Sequence, residues 1–187
     1  MAHFNSFVRI PFLVLRQAIL PVAPLSGGAF ETDVLNLRVW PNDVDFNLHL
    51  NNARYLSVMD YGRIHLLARA GLLKPALKAR WTPVVGAVWI TYRRSLTLWA
   101  RYRLATRLVC WDERWFYFEQ TFTGNEGLAA VGWVKGALLD KAGIVAPQRV
   151  VGLAEPGIVS PPLPESIQIL NGLTREKLQS ASEPLNS

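Results

Sequence analysis

Asn51-Asn52-Ala53-Arg54-Tyr55-Leu56-Ser57-Val58-Met59-Asp60-Tyr61-Gly62-Arg63-Ile64-His65-Leu66-Leu67-Ala68-Arg69-Ala70-Gly71 is the stretch on which the reading of the fold turns. Leu56, Met59, Ile64, Leu66, Leu67 and Ala70 recur at helical spacing, Asn51 or Asn52 stands where a helix begins, and Gly71 stands where one closes. The spacing predicts one long central helix ending near Ala70. Gly62 lies within the same broad face. A glycine inside a helix costs about 1 kcal/mol against alanine, and close approach to a flat partner such as a sheet is the expected compensation.

Before this helix, Leu35, Leu37 and Val39 alternate with Asn36 and Arg38, a half-buried strand over residues 33–40 that Pro41-Asn42-Asp43 ends. After it come strand patterns over residues 84–92, 97–111, 115–123 and 128–139, with turns at Asp112-Glu113 and Gly124-Asn125-Glu126-Gly127. In the second of these, Tyr102, Leu104, Thr106, Leu108 and Cys110 face the core, leaving Arg101, Arg103 and Arg107 on a wet, cationic face. The expectation is an α+β fold: one long helix against a curled antiparallel sheet of about five strands, the last four a meander.

Half of the 187 residues are hydrophobic and 18% are charged, which excludes a disordered or low-complexity chain. Cys110 is the single cysteine, so neither a disulfide framework nor a multi-cysteine zinc module is available. His3, His49 and His65 are little material for a metal site, and no metal or other cofactor is expected. The net charge of +6 suggests an anionic partner. Core-like alternation of the aromatics and the lack of a recognised nucleic-acid motif argue against DNA or RNA.

The domain is expected over residues 31–155, with extensions on both sides. Residues 1–30 hold an apolar stretch at 7–20, interrupted by Arg9 and Arg16, then a Pro- and Gly-rich linker. The stretch is too short and too charged for a membrane span and lacks a small-residue cleavage site. It reads as an amphipathic helix packed on the domain, with weak contact to a membrane surface as the sharper alternative. Residues 156–187 form a Pro-rich tail with a short closing helix from Glu165 to about Gln179. The expected location is cytoplasmic.

The densest polar cluster is Asn42-Asp43-Val44-Asp45-Phe46-Asn47-Leu48-His49-Leu50-Asn51-Asn52, just ahead of the central helix. A helix N-terminus presents unpaired N–H groups and partial positive charge, which suit an oxyanion. A carboxylate close by supplies a nucleophile or base, and together these are the requirements of acyl transfer. The same residue types also build ordinary turns and caps.

Asp43-Val44-Asp45 followed by His49-Leu50-Asn51-Asn52-Ala53-Arg54-Tyr55 resembles the signature of hotdog-fold acyl-CoA thioesterases of the 4-hydroxybenzoyl-CoA thioesterase type. Tyr92-Arg93-Arg94-Ser95-Leu96 and Trp111-Asp112-Glu113-Arg114 make the sequence most similar to the thioesterase superfamily member six group. The resemblance implies a hotdog fold and hydrolysis of acyl-CoA to a carboxylic acid and CoA. It implies Asp45 as nucleophile or general base and the Asn52 backbone amide as oxyanion donor. His49 and Asn51 are supporting residues of that site, Asn51 also reading as a cap. Arg93 and Arg94 suit the phosphates of CoA, and Tyr55 is a candidate substrate contact beside a packing role. Trp89, Phe116, Phe118 and Trp133 are candidates for an acyl pocket. The resemblance also implies a homodimer, or a dimer of dimers, with the active site near the shared interface.

Two other readings compete. A non-catalytic acyl-thioester binder or membrane-associated protein on the same fold has no need of a carboxylate beside the thioester. An enoyl-thioester hydratase resembles Asp-x-Asn-x-x-His, but Asp45-Phe46-Asn47-Leu48-His49 is one residue short of that register.

Overall fold

A computed structural model describes residues 22–182. The apolar stretch at 7–20 lies outside the described residues. Strand β1 (Asp33–Arg38) leads through a 3₁₀ turn (Pro41–Asp43) and a loop into helix α1 (Asn52–Arg69). A short helix α2 (Leu73–Lys78) follows, then strands β2 (Thr82–Tyr92), β3 (Arg101–Trp111), β4 (Phe116–Gly124), β5 (Gly127–Asp140) and β6 (Gly143–Val145). Helices α3 (Pro147–Val151) and α4 (Glu165–Ser182) are the last elements among the described residues. The six strands form one antiparallel sheet in the order β1-β3-β4-β5-β2, with β6 paired to the end of β5.

The α+β layout is as expected, but the meander covers only β3, β4 and β5. β2 pairs with the free side of β5, Thr82 opposite Leu139 and Tyr92 opposite Ala130, while β1 takes the side of β3 that a meander would have given to β2. Alternation specifies which face a strand buries, not which neighbour it pairs with, so this crossover carries no local signal. The strand expected from residue 97 starts only at Arg101. Trp99 adopts φ +66°, and the Leu98 and Trp99 amides donate to Leu48 and Val39 instead of a strand partner. α4 is also longer than expected, 18 residues, equal to α1.

α1 lies on one face of the sheet. Its buried line is Tyr55, Met59, Gly62 and Leu66, so Tyr55 rather than Leu56 faces inward, and Leu56 is exposed. Tyr55 and Met59 pack with Leu104, Phe122, Ala130 and Val134 from the sheet and with Val39, Leu50 and Leu96 from the loops. A Cβ at Gly62 would lie 2.6 Å from Thr106 Oγ1, 2.7 Å from Leu104 Cδ2 and 2.8 Å from Gln120 Nε2. The helix backbone therefore rests directly on β3 and β4. Beneath it the fully buried Gln120 donates to Met59 O (3.0 Å) and Thr106 Oγ1 (2.9 Å) and accepts from Arg63 Nη1 (2.7 Å).

At the far end of α1, Asp33 from β1 is buried and accepts from His65 Nδ1 (2.6 Å) and Arg69 Nη1 (2.9 Å). Burial alone would push this carboxyl's pKa up. The bonds and charges of His65 and Arg69 outweigh burial and hold it below the usual range. A β-bulge at Val109 reverses the facing of β3. Cys110 is buried as expected, but on the outer face, with Tyr117 and Ile167, where burial raises its pKa to about 11. The Trp89, Phe116, Phe118 and Trp133 set is likewise split. Trp89 and Trp133 pair on the outer face, whereas Phe116 and Phe118 stack on the inner one.

Two measurements check this packing. Gly62→Ala gains helix propensity but forces the helix off the sheet, and a net loss of about 1–2 kcal/mol is expected in chemical denaturation. Asp33→Asn breaks a buried ion pair and is expected to cost about 3 kcal/mol near pH 7. Because the folded-state pKa of Asp33 is depressed, its contribution is fully present above the unfolded value near 3.8 and is lost as pH falls through the lower folded value. The gap between natural protein and variant should therefore close below about pH 4.

Candidate active site

The loop ahead of α1 is built as a small hairpin. Val44 bridges Leu50 across an antiparallel pair, the Asp45 amide donates to His49 O (2.9 Å), and the Asn51 amide donates to Asp43 O (2.9 Å). Leu48 turns the chain at φ +58°. The loop is tied to residues 96–98 by the Leu50 amide on Leu96 O (2.7 Å) and the Leu98 amide on Leu48 O (3.0 Å). Asp43 is buried beneath it and accepts from the Trp40 amide (3.2 Å), with Arg54 Nε 3.8 Å from its carboxylate.

Asp45 faces His49 in this hairpin, and His49 lies three residues before α1, roughly 10 Å along the strand at 3.3 Å per residue. Its Oδ1 accepts from the Asn47 (2.9 Å) and His49 (3.2 Å) amides. Its Oδ2 has no hydrogen-bond partner among the described residues, and no cation pairs with it. The side chain is half-buried. It is thus an oriented carboxylate with one oxygen available.

Asn51 is the N-cap of α1, its side chain accepting from the Ala53 amide (2.9 Å). The Arg54 and Tyr55 amides reach Asn51 O. Of the first-turn donors, the Asn52 amide is left without an acceptor among the described residues. The helix start therefore offers one open N–H, reinforced by the helix dipole. The half-buried His49 ring makes no hydrogen bond among the described residues.

Asp45 and His49 face each other in the hairpin, and Asn51 and Asn52 follow it at the start of α1. Tyr55 lies below them in the core, its ring edge-on to Tyr92 (5.0 Å) and Phe122 (4.8 Å). Burial first, then the neighbouring Tyr92, raises its pKa to about 12. Arg93 and Arg94 extend from the end of β2 beside this aromatic pair, both amides bonded to Ala129 O, both side chains exposed and without an acidic partner among the described residues. Around the hairpin stands an exposed apolar rim: Phe46 (94% exposed), Leu48, and the edge-to-face pair Trp40 and Trp99. Sequence reasoning missed this rim because Trp99 reads there as a strand residue. It also missed that His65 has a partner, since Asp33 lies 32 residues earlier.

The model of the thioesterase-like superfamily matches residues 39–169, from the end of β1 into α4. The chain belongs to the thioesterase-like superfamily. It is a hotdog-fold thioester hydrolase by membership. It is 32% identical to Protein THEM6 of Xenopus laevis over 166 residues, covering 86% of this chain and 76% of that one. With Protein THEM6 of Danio rerio the identity is 37% over 138 residues, covering 72% of this chain and 66% of that one. A Staphylococcus aureus protein solved in complex with CoA shares the fold at a TM-score of 0.61 and 18% identity, over 76% of this chain and 96% of its own. Among the described residues, no helix is long and apolar enough to cross a membrane.

Proposed function

We propose that this thioesterase hydrolyses an acyl-CoA, with Asp45 as the reacting carboxylate and the Asn52 amide as the oxyanion donor. The observation that carries this reading is the joint one at the hairpin: a carboxylate with a free oxygen and a helix-start amide with no acceptor, both held by one short ladder. The amide polarises the thioester carbonyl and stabilises the negative oxygen that develops on it. Asp45 attacks the carbonyl carbon to give a mixed anhydride that water then opens, or removes a proton from the attacking water; the CoA thiol leaves in either route. Asn51 holds the helix start in place, and His49 lies beside the reacting groups. Arg93 and Arg94 bind CoA phosphates, Tyr55 supports the acyl side from below, and the Phe46, Leu48, Trp40 and Trp99 rim gives the acyl chain an apolar surface.

The same reading makes the protein a homodimer. β2 is an 11-residue edge strand without a charged side chain, and its outer edge has no partner among the described residues. Such an edge is a template for pairing with another strand, and a second copy supplies one of matching length. Sedimentation equilibrium should return twice the 21.0 kDa chain mass; a monomer at micromolar concentration would remove the partner copy from the proposal.

The chemistry is tested by thiol release from a panel of acyl-CoAs, comparing the natural protein with Asp45→Asn. Turnover of at least one substrate is expected, with a loss of about 10²-fold or more in the variant at unchanged melting temperature. Equal rates would dismiss Asp45 from the mechanism, and binding without turnover in the natural protein would leave an acyl-CoA binder.

A further inference from the structure

The outer face of the sheet carries a second polar assembly, on the side away from α1. α4 crosses this face, anchored by the fully buried Ile167 against Cys110 and Tyr117, with Trp115, Trp133 and Leu163 packed around them. Beyond the anchor, α4 and the β3–β4 turn enclose a groove of about 1080 Å³. The family match ends at residue 169, so most of the α4 wall is built by residues beyond the matched region.

The floor of the groove is a continuous hydrogen-bond chain. Asp112 Oδ1 accepts from the Arg114 (2.8 Å) and Trp115 (2.7 Å) amides, and its Oδ2 accepts from the Tyr117 hydroxyl (2.8 Å). That hydroxyl accepts from Asn171 Nδ2 (3.0 Å), and Asn171 Oδ1 accepts from Lys135 Nζ (2.8 Å). Lys135 also lies 5.0 Å over the Trp115 ring. The Asp112 charge is thus committed to the turn and to Tyr117. Arg114 and Arg175 line the same groove, and neither guanidinium has a hydrogen-bond or ion-pair partner among the described residues. Glu113 is the one other acidic residue in the lining.

Desolvation, together with the charges of Arg175 and Arg114, pushes the Lys135 pKa down against the pull of Asp112. Three cations therefore share one groove with the two carboxylates of Asp112 and Glu113, and positive charge is in excess. Apolar surface lies beside them: the Trp115 ring, Leu163, and Leu178, which is 66% exposed. An unpaired cation cluster next to an apolar wall matches a ligand that is charged at one end and greasy along the rest.

We propose that this groove binds an amphipathic organic anion, its carboxylate or phosphate head held by Arg114, Lys135 and Arg175 and its apolar part lying on Trp115 and Leu178. No residue of the Asp45 hairpin lines this groove. Its occupancy does not depend on hydrolysis.

The test titrates the full chain with decanoate, decyl phosphate and decanol, read by calorimetry and tryptophan fluorescence. One or both anions should bind saturably, and decanol at least about tenfold more weakly. A preference for decanoate assigns the site to free carboxylic acids, and a preference for decyl phosphate assigns it to phosphate-headed lipids. Arg114→Glu with Arg175→Glu should weaken the anion by about tenfold or more, while Asp45→Asn leaves it unchanged. Thermal melting monitors folding, and Arg175→Gln alone, at an exposed position of α4, provides the same comparison should the double variant melt early. The proposal is overturned if neither anion binds, if decanol binds as tightly, or if binding survives the charge reversal.

Discussion

The descent of α1 onto the sheet at Gly62 governs where the remaining parts of the molecule lie. With no Cβ at this position, the helix backbone comes into contact with Thr106, Leu104 and Gln120, closer than any other residue would allow. Gln120 then bonds to Met59 O, which adds a rotational lock to the positional one. A helix of 18 residues is a rod of about 27 Å, so fixing its middle and its far end, where Asp33 grips His65 and Arg69, also fixes its N-terminus. The open Asn52 amide is placed by core packing some ten residues away.

The hairpin before the helix converts that rigidity into orientation of a carboxylate. Its bonds run both to the helix start, through Asn51 on Asp43 O, and to the segment before β3, through Leu50 on Leu96 O and Leu98 on Leu48 O. Asp45 spends one oxygen on two backbone amides of its own loop, which leaves little freedom to the other. For the reaction proposed above, a donor and a carboxylate each fixed in advance by the backbone are what preorganisation requires. The neighbouring Asp43 serves a different end. It is buried, beside Arg54, and bonded to the Trp40 amide, so the two acids of the Asp-Val-Asp run divide into one that builds the loop and one that faces out of it.

What the sequence made legible follows from the range of each signal. The helix, its asparagine cap, the strand identities and the position of the acid cluster are local patterns, and the structure shows them within a few residues of where they were expected. Gly62 was readable as a close approach because a mid-helix glycine needs a compensating contact. Features set by distant partners were not. The pairing of β2 with β5 depends on which edges remain free once β1 has taken β3. The Asp33–His65 bond spans 32 positions, and the bulge at Val109 leaves no mark in an unbroken alternation yet moves Cys110 to the opposite face. Tyr55 and Leu56 are both apolar neighbours at the helix start, and only the helix rotation locked by Gln120 decides that Tyr55 goes in.

That bulge also explains how one sheet supports two polar assemblies. Ahead of it, β3 turns Leu104 and Thr106 toward α1 and exposes Arg103 and Arg107. Past it, Val109 and Cys110 are both packed beneath α4, and Tyr117, paired with Cys110, directs its hydroxyl to Asp112 and Asn171. A polar chain on a half-covered sheet face costs little only when its members satisfy one another, because a single orphaned partner there would carry the full desolvation penalty. Asp112, Tyr117 and Asn171 meet that condition internally, and Arg114, Lys135 and Arg175 outnumber the two carboxylates of Asp112 and Glu113 in the groove. The excess sits on the half of the sheet that the bulge turns outward, and it is absent from the Asp45 hairpin, where the unpaired group is an anion's oxygen and the donor is neutral. The groups offered at the hairpin are thus a carboxylate oxygen and a neutral amide, whereas the groove offers cations beside an apolar wall.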